Sequence, residues 1–556
     1  MAKVAALGLD AAEWQFTEEL VAAGDMPHLA ALRERSLVCR LEGPRLYRSE
    51  VPWPRFATGR SGLGMGYWGT MTFDPRTYRA VGRGAYIGRP FWARPDVRSL
   101  VFDVPEVGMH ADVLGTQITA WGAHSPEYPR ASRPVGLLTE LDERFGPHPA
   151  FANDCDPGWH SPEYLDNLTR ALQTGAHRRM DALEWLLDRD DYDFVLVAMS
   201  EAHSGGHHLW HGADPDHPLA ASPLAGIARR HLRTVFRTLD ECVGRFVDAV
   251  GPDTTTVVFS LHGFVGDGND LPSAVLLPEL LHRAHFGRGL LKSPDTAAWR
   301  AAGMPPVVPR RDEHWIAYMS ERFGERPRDH LRNVVKRTVP RRVLEPARRA
   351  LGRPPGTLGP FTTPIPPEDR RDVGELRADP RDPDYQIAWR YHAHWPQMRA
   401  FALPTVSDGH VRVNVRGREA RGIVPPEDLA TTCDEIVDLV RACTNPRTGR
   451  SVVADAIRTR DDPAQPGPPA DLVILWDGAP DTFDHPELGT IGPFPYCRTG
   501  EHSTHGFALV AGPGIVPGDV GTRNVLDLTP TVLSLLGQSL GDGEYEGVPL
   551  PIGAPA

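Results

Sequence analysis

The chain has 556 residues, of which 41% are hydrophobic and 24% charged, which is typical of a folded globular protein and excludes disordered, collagen-like and coiled-coil chains. The formal net charge of −12 provides no broad basic surface for nucleic acid or anionic lipid. We therefore expect neither a nucleic-acid nor a membrane partner and favour a small-molecule site, and nothing in the sequence indicates an oligomeric state.

The first predicted element is an apolar strand from Val4 to Leu9, which ends directly before Asp10. This beginning lacks the charged region, the long apolar region and the cleavage site of a secretory signal, and no later window approaches roughly 18 uncharged apolar residues. The six cysteines are widely spaced without a CxxC pair, which indicates reduced thiols. We expect a cytoplasmic protein.

The next elements alternate between helix and strand. Leucine and alanine recur at helical spacing over residues 17–35, which predicts one helix there. Continuous apolar and β-branched runs predict strands at 194–198, 255–260 and 507–511, and a last helix is predicted at 525–536. Such runs indicate strands buried on both faces, so the fold class is α/β with a largely parallel sheet covered by helices.

An irregular region interrupts this alternation. Arginine and proline accumulate over residues 265–395 and no strand pattern repeats, which we interpret as an inserted cap or lid. Strand-like alternation returns at 399–403 and 410–415, and a helix is predicted at 426–443. The predicted core is therefore residues 1–264 and 396–556.

Candidate metal ligands stand at the predicted strand ends, where ligand sites of open α/β sheets lie. Asp10 and His262 each follow a strand, a histidine-rich segment follows the strand at 194–198, and His502 comes shortly before the strand at 507–511. Imidazole and carboxylate groups at one edge suit a zinc-class ion. The simpler alternative for Asp10 is a helix cap, and for His208 and His211 a polar wall.

The candidate nucleophile is Ser49, which precedes a proline-rich turn and a short segment that ends at Gly59. Beside a divalent ion and a helix N-terminus, the pKa of a serine hydroxyl would fall, so that the oxygen could attack phosphorus or sulfur. Local features alone favour the alternative that Ser49 is a plain helix cap. Arg48 and Arg55 flank it and could clamp an anionic substrate, or could be solvated surface groups.

These motifs, in this order, resemble those of the alkaline phosphatase superfamily, and most of all its type I phosphodiesterase/nucleotide pyrophosphatase branch. The resemblance covers most of the chain except 265–395 and implies an alkaline-phosphatase-like three-layer sandwich with an inserted cap. The spacing from Ser49 to Gly59 is similar to that from the branch's nucleophile to a glycine. The segments that carry the resemblance are Asp10, residues 26–29, 49–59, 203–207, 261–263, 408–424, 500–502, 510–515 and 527–533.

The resemblance also implies two sets of metal ligands, with two departures from the family pattern. His203 stands where the family usually has aspartate, which makes one site all-histidine, and Leu261 replaces an aspartate of the other site. We therefore expect one zinc ion and leave a second open. Glu50, Glu201 and Asp267 are candidate substitute ligands. The implied sets are His203, His207 and His502 for the first ion, and Asp10, Ser49 and His262 for the second.

The altered ligand set shapes the functional hypothesis. Three neutral imidazoles leave a zinc ion its full charge and an open position, which favours anionic ligands. Without a strong second ion, Ser49 would need His262 or Asp10 as base, or zinc-bound hydroxide would replace it. The hypothesis is a metal-dependent hydrolase or transferase for a small anionic phosphate, sulfate or sulfamate ester, in a specialised biosynthetic pathway. The alternative is a non-catalytic metal-binding or interaction protein on the same scaffold.

Overall fold

The computed structural model describes residues 3–47, 51–69, 71–82, 85–122, 130–150, 161–266, 270–308, 315–323, 387–405 and 407–552. Four residues that the sequence singles out lie outside this part of the chain, namely Arg48, Ser49, Glu50 and Asp267. Most of the region predicted as a cap lies outside it as well.

A nine-stranded sheet forms the centre of the molecule. The apolar runs predicted at residues 4–9, 194–198, 255–260 and 507–511 are all strands of this sheet. Two strands, β7 (Ala131–Arg133) and β18 (His505–Ala511), are antiparallel to the strands beside them, and every other neighbouring pair is parallel. The prediction of a largely parallel α/β sheet is therefore confirmed. In spatial order the strands are β19 (Gly518–Asn524), β2 (Leu37–Glu42), β18 (His505–Ala511), β9 (Thr255–Ser260), β1 (Val4–Leu9), β8 (Phe194–Met199), β5 (Ser99–Phe102), β6 (Gly115–Thr119) and β7 (Ala131–Arg133).

The central strand β1 shows that the sheet is covered on both faces. All of its residues are buried, and successive side chains point to opposite faces. Ala5, Leu7 and Leu9 belong to one hydrophobic core, whereas Val4 and Ala6 belong to another. A strand without polar positions is stable only between two apolar layers, which is the reason for its continuous apolar sequence.

Helices form the two outer layers. Leucines of the long helices α6 (Pro162–Arg189) and α8 (Ala225–Val250) pack in the core of Leu7. Phe56 of α3 (Pro52–Thr58) and Val532 of α13 (Leu528–Leu535) pack in the core of Val4. Ser161 caps α6, because its hydroxyl accepts a hydrogen bond from the backbone N–H of Tyr164. The fold is therefore a three-layer sandwich. The helices are α3 (Pro52–Thr58), α4 (Gly62–Met65), α5 (Leu137–Phe145), α6 (Pro162–Arg189), α7 (Glu201–Leu209), α8 (Ala225–Val250) and α13 (Leu528–Leu535).

The single helix predicted over residues 17–35 is wrong. The chain forms two helices there, α1 (Trp14–Ala22) and α2 (Pro27–Glu34). Gly24 adopts a left-handed backbone with φ of 77°, and Pro27 starts the second helix because it has no N–H to donate to a preceding turn. The last predicted helix is confirmed, since 3₁₀ residues Val525–Asp527 lead into α13.

A second, antiparallel sheet follows the region predicted as a cap. It joins β11 (Ala400–Ala402), β12 (Gly409–Val413), β14 (Leu472–Trp476) and β13 (Val453–Arg458) in that spatial order. The strands predicted at 399–403 and 410–415 are β11 and β12, and the helix predicted at 426–443 is α12 (Leu429–Arg441) after a 3₁₀ turn. The division into a core and a cap at residues 265–395 stays a prediction.

The remaining elements are short. No described helix combines the length and the apolar character that a bilayer span requires. The expected cytoplasmic location stays a prediction. These elements are the helices α9 (Leu277–Phe286), α10 (Thr296–Ala301) and α11 (Trp315–Arg322), the 3₁₀ segments Ile387–Tyr391 and Trp395–Gln397, and the paired strands β3 (Met71–Asp74) with β4 (Arg79–Gly82), β10 (Phe264–Gly266) with β17 (Gly500–His502) and β15 (Phe483–His485) with β16 (Gly489–Ile491).

Candidate metal centre

Three adjacent strands of the central sheet bring the candidate residues to one edge. β1 is parallel to both β8 and β9, so the three strands end on the same side. Asp10 directly follows β1, helix α7 starts two residues after β8, and His262 comes two residues after β9. The juxtaposition of these groups beyond the carboxyl ends of the strands is the one that the sequence predicted.

Three buried histidines meet at this edge. His203 and His207 lie one turn apart on α7 and therefore on one helix face. His502 approaches from β17, where it pairs with Phe264 of β10. Each of the three offers a ring nitrogen, and these atoms all lie within 4.8 Å of one another. The ring centroids are 4.5, 4.6 and 4.9 Å apart.

Glycines allow the histidine strand to approach the histidine helix. A Cβ at Gly500 would lie 2.4 Å from the carbonyl oxygen of Gly206, and a Cβ at Gly206 would lie 2.3 Å from the ring of Phe264. Glycine inside a helix costs about 1 kcal/mol. Here the missing side chains let β17 pack directly against α7, which brings His502 to the other two histidines.

The protonation states of the histidines suit metal binding. Nδ1 of His207 lies 2.8 Å from the carbonyl oxygen of Gly500, which can only accept, so Nδ1 carries the proton and Nε2 carries the lone pair. Burial lowers the pKa of His207 well below its ordinary value, and the nearby Arg498 lowers it further. Burial and three neighbouring histidines do the same to the pKa of His502. Both rings are therefore neutral at pH 7.

His502 supplies the test of whether the residues fit an ion. Neither of its ring nitrogens has a hydrogen-bond partner among the described residues, although the ring is buried. A buried nitrogen without a partner is costly unless a ligand uses its lone pair. Three buried imidazoles, of which those of His207 and His502 are neutral, form a donor set that suits zinc, so the residues of this centre fit a zinc ion.

An arginine that the sequence did not single out lies against the same histidines. Nη1 of Arg498 is 3.1 Å from Nε2 of His207. Its other two nitrogens contact Asp270 at 2.6 and 2.7 Å, and Nη2 also contacts Glu501 at 3.1 Å. No local pattern distinguishes this arginine from the many others in the chain. Its position four residues before His502 was the available signal.

Asp10 and His262 form a second group beside the three histidines. Nε2 of His262 lies 4.0 Å from Oδ1 of Asp10, and its ring centroid is 4.4 Å from that of His502. Among the described residues, only the three-histidine set brings three ligand atoms within 4.8 Å. Asp10 is not the cap of α1, because the carboxylate of Glu13 accepts the N–H of Phe16 there. The second ion with Asp10, Ser49 and His262 stays a prediction.

Two further positions that the sequence singled out, Arg55 and Leu261, have surroundings that the structure describes. Arg55 is buried, and its Nη2 donates to the carbonyl oxygens of Tyr47 at 2.7 Å and Leu46 at 3.2 Å. It thus contacts the backbone that leads to Ser49, and its role as a substrate clamp stays a prediction, like that of Arg48. Leu261 packs in a hydrophobic core, so the second site gains no carboxylate at that position.

Glu201 is engaged in a buried ion pair. Its carboxylate contacts Arg179 at 3.3 Å and His148 at 3.1 Å. Burial alone would raise the pKa of Glu201, but the charge of Arg179 and the hydrogen bond with His148 bring it below its ordinary value. Its expected use as a substitute ligand stays a prediction. His211 instead contacts Thr499 through Nδ1 at 3.1 Å, in agreement with a wall position.

Comparison with known proteins finds solved structures of similar fold. Murine ectonucleotide pyrophosphatase/phosphodiesterase 5, as an inactive variant with AMP, is 11% identical over 98% of this chain and 97% of that chain, with a TM-score of 0.44. The human protein gives 10% over the same shares and a TM-score of 0.42. Phosphonoacetate hydrolase from Sinorhizobium meliloti with phosphonoformate gives 15%, 52% of this chain, 62% of that chain and a TM-score of 0.34.

These similarities concern the fold alone. They include the nucleotide pyrophosphatase/phosphodiesterase branch that the sequence motifs resemble. No protein-family model and no curated protein sequence matches the chain.

Proposed function

We propose that this protein is a metal-dependent hydrolase or group transferase that acts on small anionic phosphate esters, or on sulfate or sulfamate esters, with Ser49 as nucleophile. The observation that carries the proposal is the convergence of three buried histidines, of which His207 and His502 are neutral, at the carboxyl edge of the sheet. His203, His207 and His502 would hold one zinc ion. When bound, such an ion supplies positive charge that stabilises negative charge on a substrate oxygen.

The residues around the histidines suit a proton transfer from a hydroxyl. Asp10 and His262 are buried side by side at the ends of β1 and β9, and either can accept the hydroxyl proton of Ser49. The serine oxygen then forms a bond to phosphorus or sulfur while the bond to the leaving oxygen breaks. Water or an acceptor alcohol attacks the resulting serine ester and releases the product.

Contacts of helix α3 flank the position of Ser49 in the sequence. Arg55 of α3 donates to the backbone carbonyls of residues 46 and 47, on one side of the serine. On the other side α3 starts at Pro52, and its Trp53 bonds to Asp10. The chain on either side of the proposed nucleophile therefore contacts Asp10 or α3, which supports the pairing of Ser49 with Asp10 in this proposal.

The test combines turnover with metal content in one set of variants. Aryl phosphate monoesters, diesters and sulfates serve as substrates, and mass spectrometry gives the metal per chain. We expect Ser49→Ala to abolish turnover and keep about one zinc ion, since three histidines complete one site. His203→Ala should lose both, and Asp10→Ala should keep the metal.

Two results would overturn the proposal: turnover that survives Ser49→Ala, or a wild-type chain that takes up no metal. Metal uptake without turnover of any ester would favour the alternative, a non-catalytic metal-binding or interaction protein. Transfer, as opposed to hydrolysis, requires that turnover rise with an added acceptor alcohol. If the protein hydrolyses nitrophenyl phosphodiesters at rates typical of enzymes, and these rates do not depend on an added acceptor, the protein is not a dedicated transferase.

A further inference from the structure

Arg498 contacts the atom of His207 that would ligate the ion. Because Nδ1 of His207 is bonded to Gly500, only Nε2 can bind a metal, and Nη1 of Arg498 lies 3.1 Å from it. One lone pair cannot serve an arginine N–H and an ion together. Arg498 and the ion therefore compete for the same atom.

Two carboxylates hold the guanidinium in this position. The carboxylate of Asp270 accepts hydrogen bonds from Nε at 2.6 Å and from Nη2 at 2.7 Å. The carboxylate of Glu501 accepts a hydrogen bond from Nη2 at 3.1 Å. Side-chain exposure is 13% for both Arg498 and Asp270 and 1% for Glu501, so these charges are weakly screened. Nη1, which these three bonds do not involve, is the nitrogen that lies 3.1 Å from Nε2 of His207.

The contact between Arg498 and His207 cannot persist when an ion occupies the centre. Nη1 then loses Nε2 of His207 as its acceptor, and a guanidinium stands beside a dication. An oxyanion with several oxygens resolves both problems, since one oxygen can contact the ion and another can accept from Nη1. A phosphate or sulfate group has this shape and charge, whereas a neutral ester does not.

We propose that Arg498 is the anion-binding residue of the three-histidine centre, and that its exchange from Nε2 of His207 to an oxygen of a tetrahedral phosphate or sulfate makes ion and anion bind cooperatively. The inference rests on the proposed function and deepens it, because it assigns the recognition of the substrate's nonbridging oxygens. A purely structural role for Arg498 would stabilise the chain near Glu501 but would not link the two affinities.

The experiment measures Co²⁺ affinity of the metal-stripped full chain by visible absorption, with and without inorganic phosphate. In wild type we expect phosphate to tighten Co²⁺ binding about tenfold or more, within the usual range of coupling between two ligands. In Arg498→Met the factor should fall below about threefold, because only the direct bond between anion and ion remains.

The matched control is Arg245→Met. Arg245 is likewise held by two carboxylates, Asp181 at 2.7 Å and Glu184 at 2.9 Å, but it belongs to α8 and contacts none of the three histidines. This variant should keep the wild-type factor. If Arg498→Met does not fold, Asp270→Asn decides, since it keeps the guanidinium but removes its main anchor, and its factor should fall at least about threefold.

The outcomes separate the two proposals. Equal phosphate factors for wild type and Arg498→Met, or Co²⁺ binding by wild type that phosphate does not tighten, would overturn this inference and leave the metal centre intact. A wild-type chain that does not bind Co²⁺ would overturn the proposed function and this inference with it.

Discussion

Trp53 donates a hydrogen bond of 2.8 Å from Nε1 to Oδ1 of Asp10, the carboxylate at the end of the central strand. Trp53 belongs to α3, the helix that follows the segment of Ser49. The bond therefore fixes the carboxylate of Asp10 relative to helix α3, which follows the proposed nucleophile in the sequence. Oδ1 is also the oxygen that lies 4.0 Å from Nε2 of His262, so the bond from Trp53 helps to set the distance between the two groups.

Replacement of Trp53 by Phe should impair turnover more than metal binding. The variant removes the donor to Asp10, and a buried carboxylate that loses a partner costs about 1–3 kcal/mol in the free energy of unfolding. We expect kcat/KM to fall roughly tenfold, the equivalent of 1.4 kcal/mol, with metal content unchanged. Trp299→Phe is the control, because its Nε1 donates over the same 2.8 Å to a backbone oxygen of Pro305. Equal kcat/KM for both variants would contradict this role.

Gly8→Ala should destabilise the fold. A Cβ at Gly8 would lie 2.3 Å from the ring of Trp53 and 3.1 Å from that of Phe259. β1 cannot move away, because β8 and β9 hold it from both sides, so we expect a loss of about 3 kcal/mol in urea denaturation. Gly518→Ala in β19 is the control, since no atom lies within 4 Å of its added Cβ, and it should change stability by less than about 0.5 kcal/mol.

The sequence predicted the strands and the residues at their ends because both depend on local signals. A buried parallel strand needs a continuous apolar run, and the residue after it lies at the ligand edge, which placed Asp10 and His262. The break between α1 and α2 escaped prediction because leucine and alanine keep helical spacing through it. Only Gly24 and Pro27 signal the break.

Long-range features had no such signal. The alternation at β11 and β12 indicates strands but not which sheet they join, and they join the second one. Arg498 reaches His207 across 291 positions of sequence, so only the folded chain shows the contact. The glycines at 206 and 500 are explained in the same way, by a close approach of two distant segments.

Arg179→Met should lower the free energy of unfolding, because Arg179 lies in the layer beside the three histidines. Arg179 is buried between the carboxylates of Asp103 and Glu201, and Glu201 is the first residue of the histidine helix α7. Removal of the cation leaves two buried carboxylates uncompensated, which costs about 3–5 kcal/mol. Urea denaturation measures the loss. Arg170→Met on the same helix α6 removes an exposed pair with Asp166 and should cost less than about 0.5 kcal/mol, and similar losses for both variants would contradict the assignment.

His410→Phe should make the chain less sensitive to acid. His410 is buried on β12, its ring lies tilted against that of Tyr47 with centroids 4.2 Å apart, and burial lowers its pKa to about 3. In the unfolded chain its pKa is about 6.5, so below that pH the unfolded state binds a proton that the native state does not. The free energy of unfolding therefore falls as the pH drops from about 6.5 toward 3, by about 1.4 kcal/mol per pH unit for this residue.

The measurement compares urea denaturation of His410→Phe and wild type at pH 7.5 and pH 4.5. At pH 7.5 the free energies of unfolding of His410→Phe and wild type should differ little. Phe keeps the ring contact with Tyr47, and Nε2 of His410 has no hydrogen-bond partner among the described residues. At pH 4.5 the variant should be more stable than wild type by about 3 kcal/mol, since it has no site to protonate in the unfolded state. An equal loss of stability in both proteins would show that His410 is not held neutral by the fold.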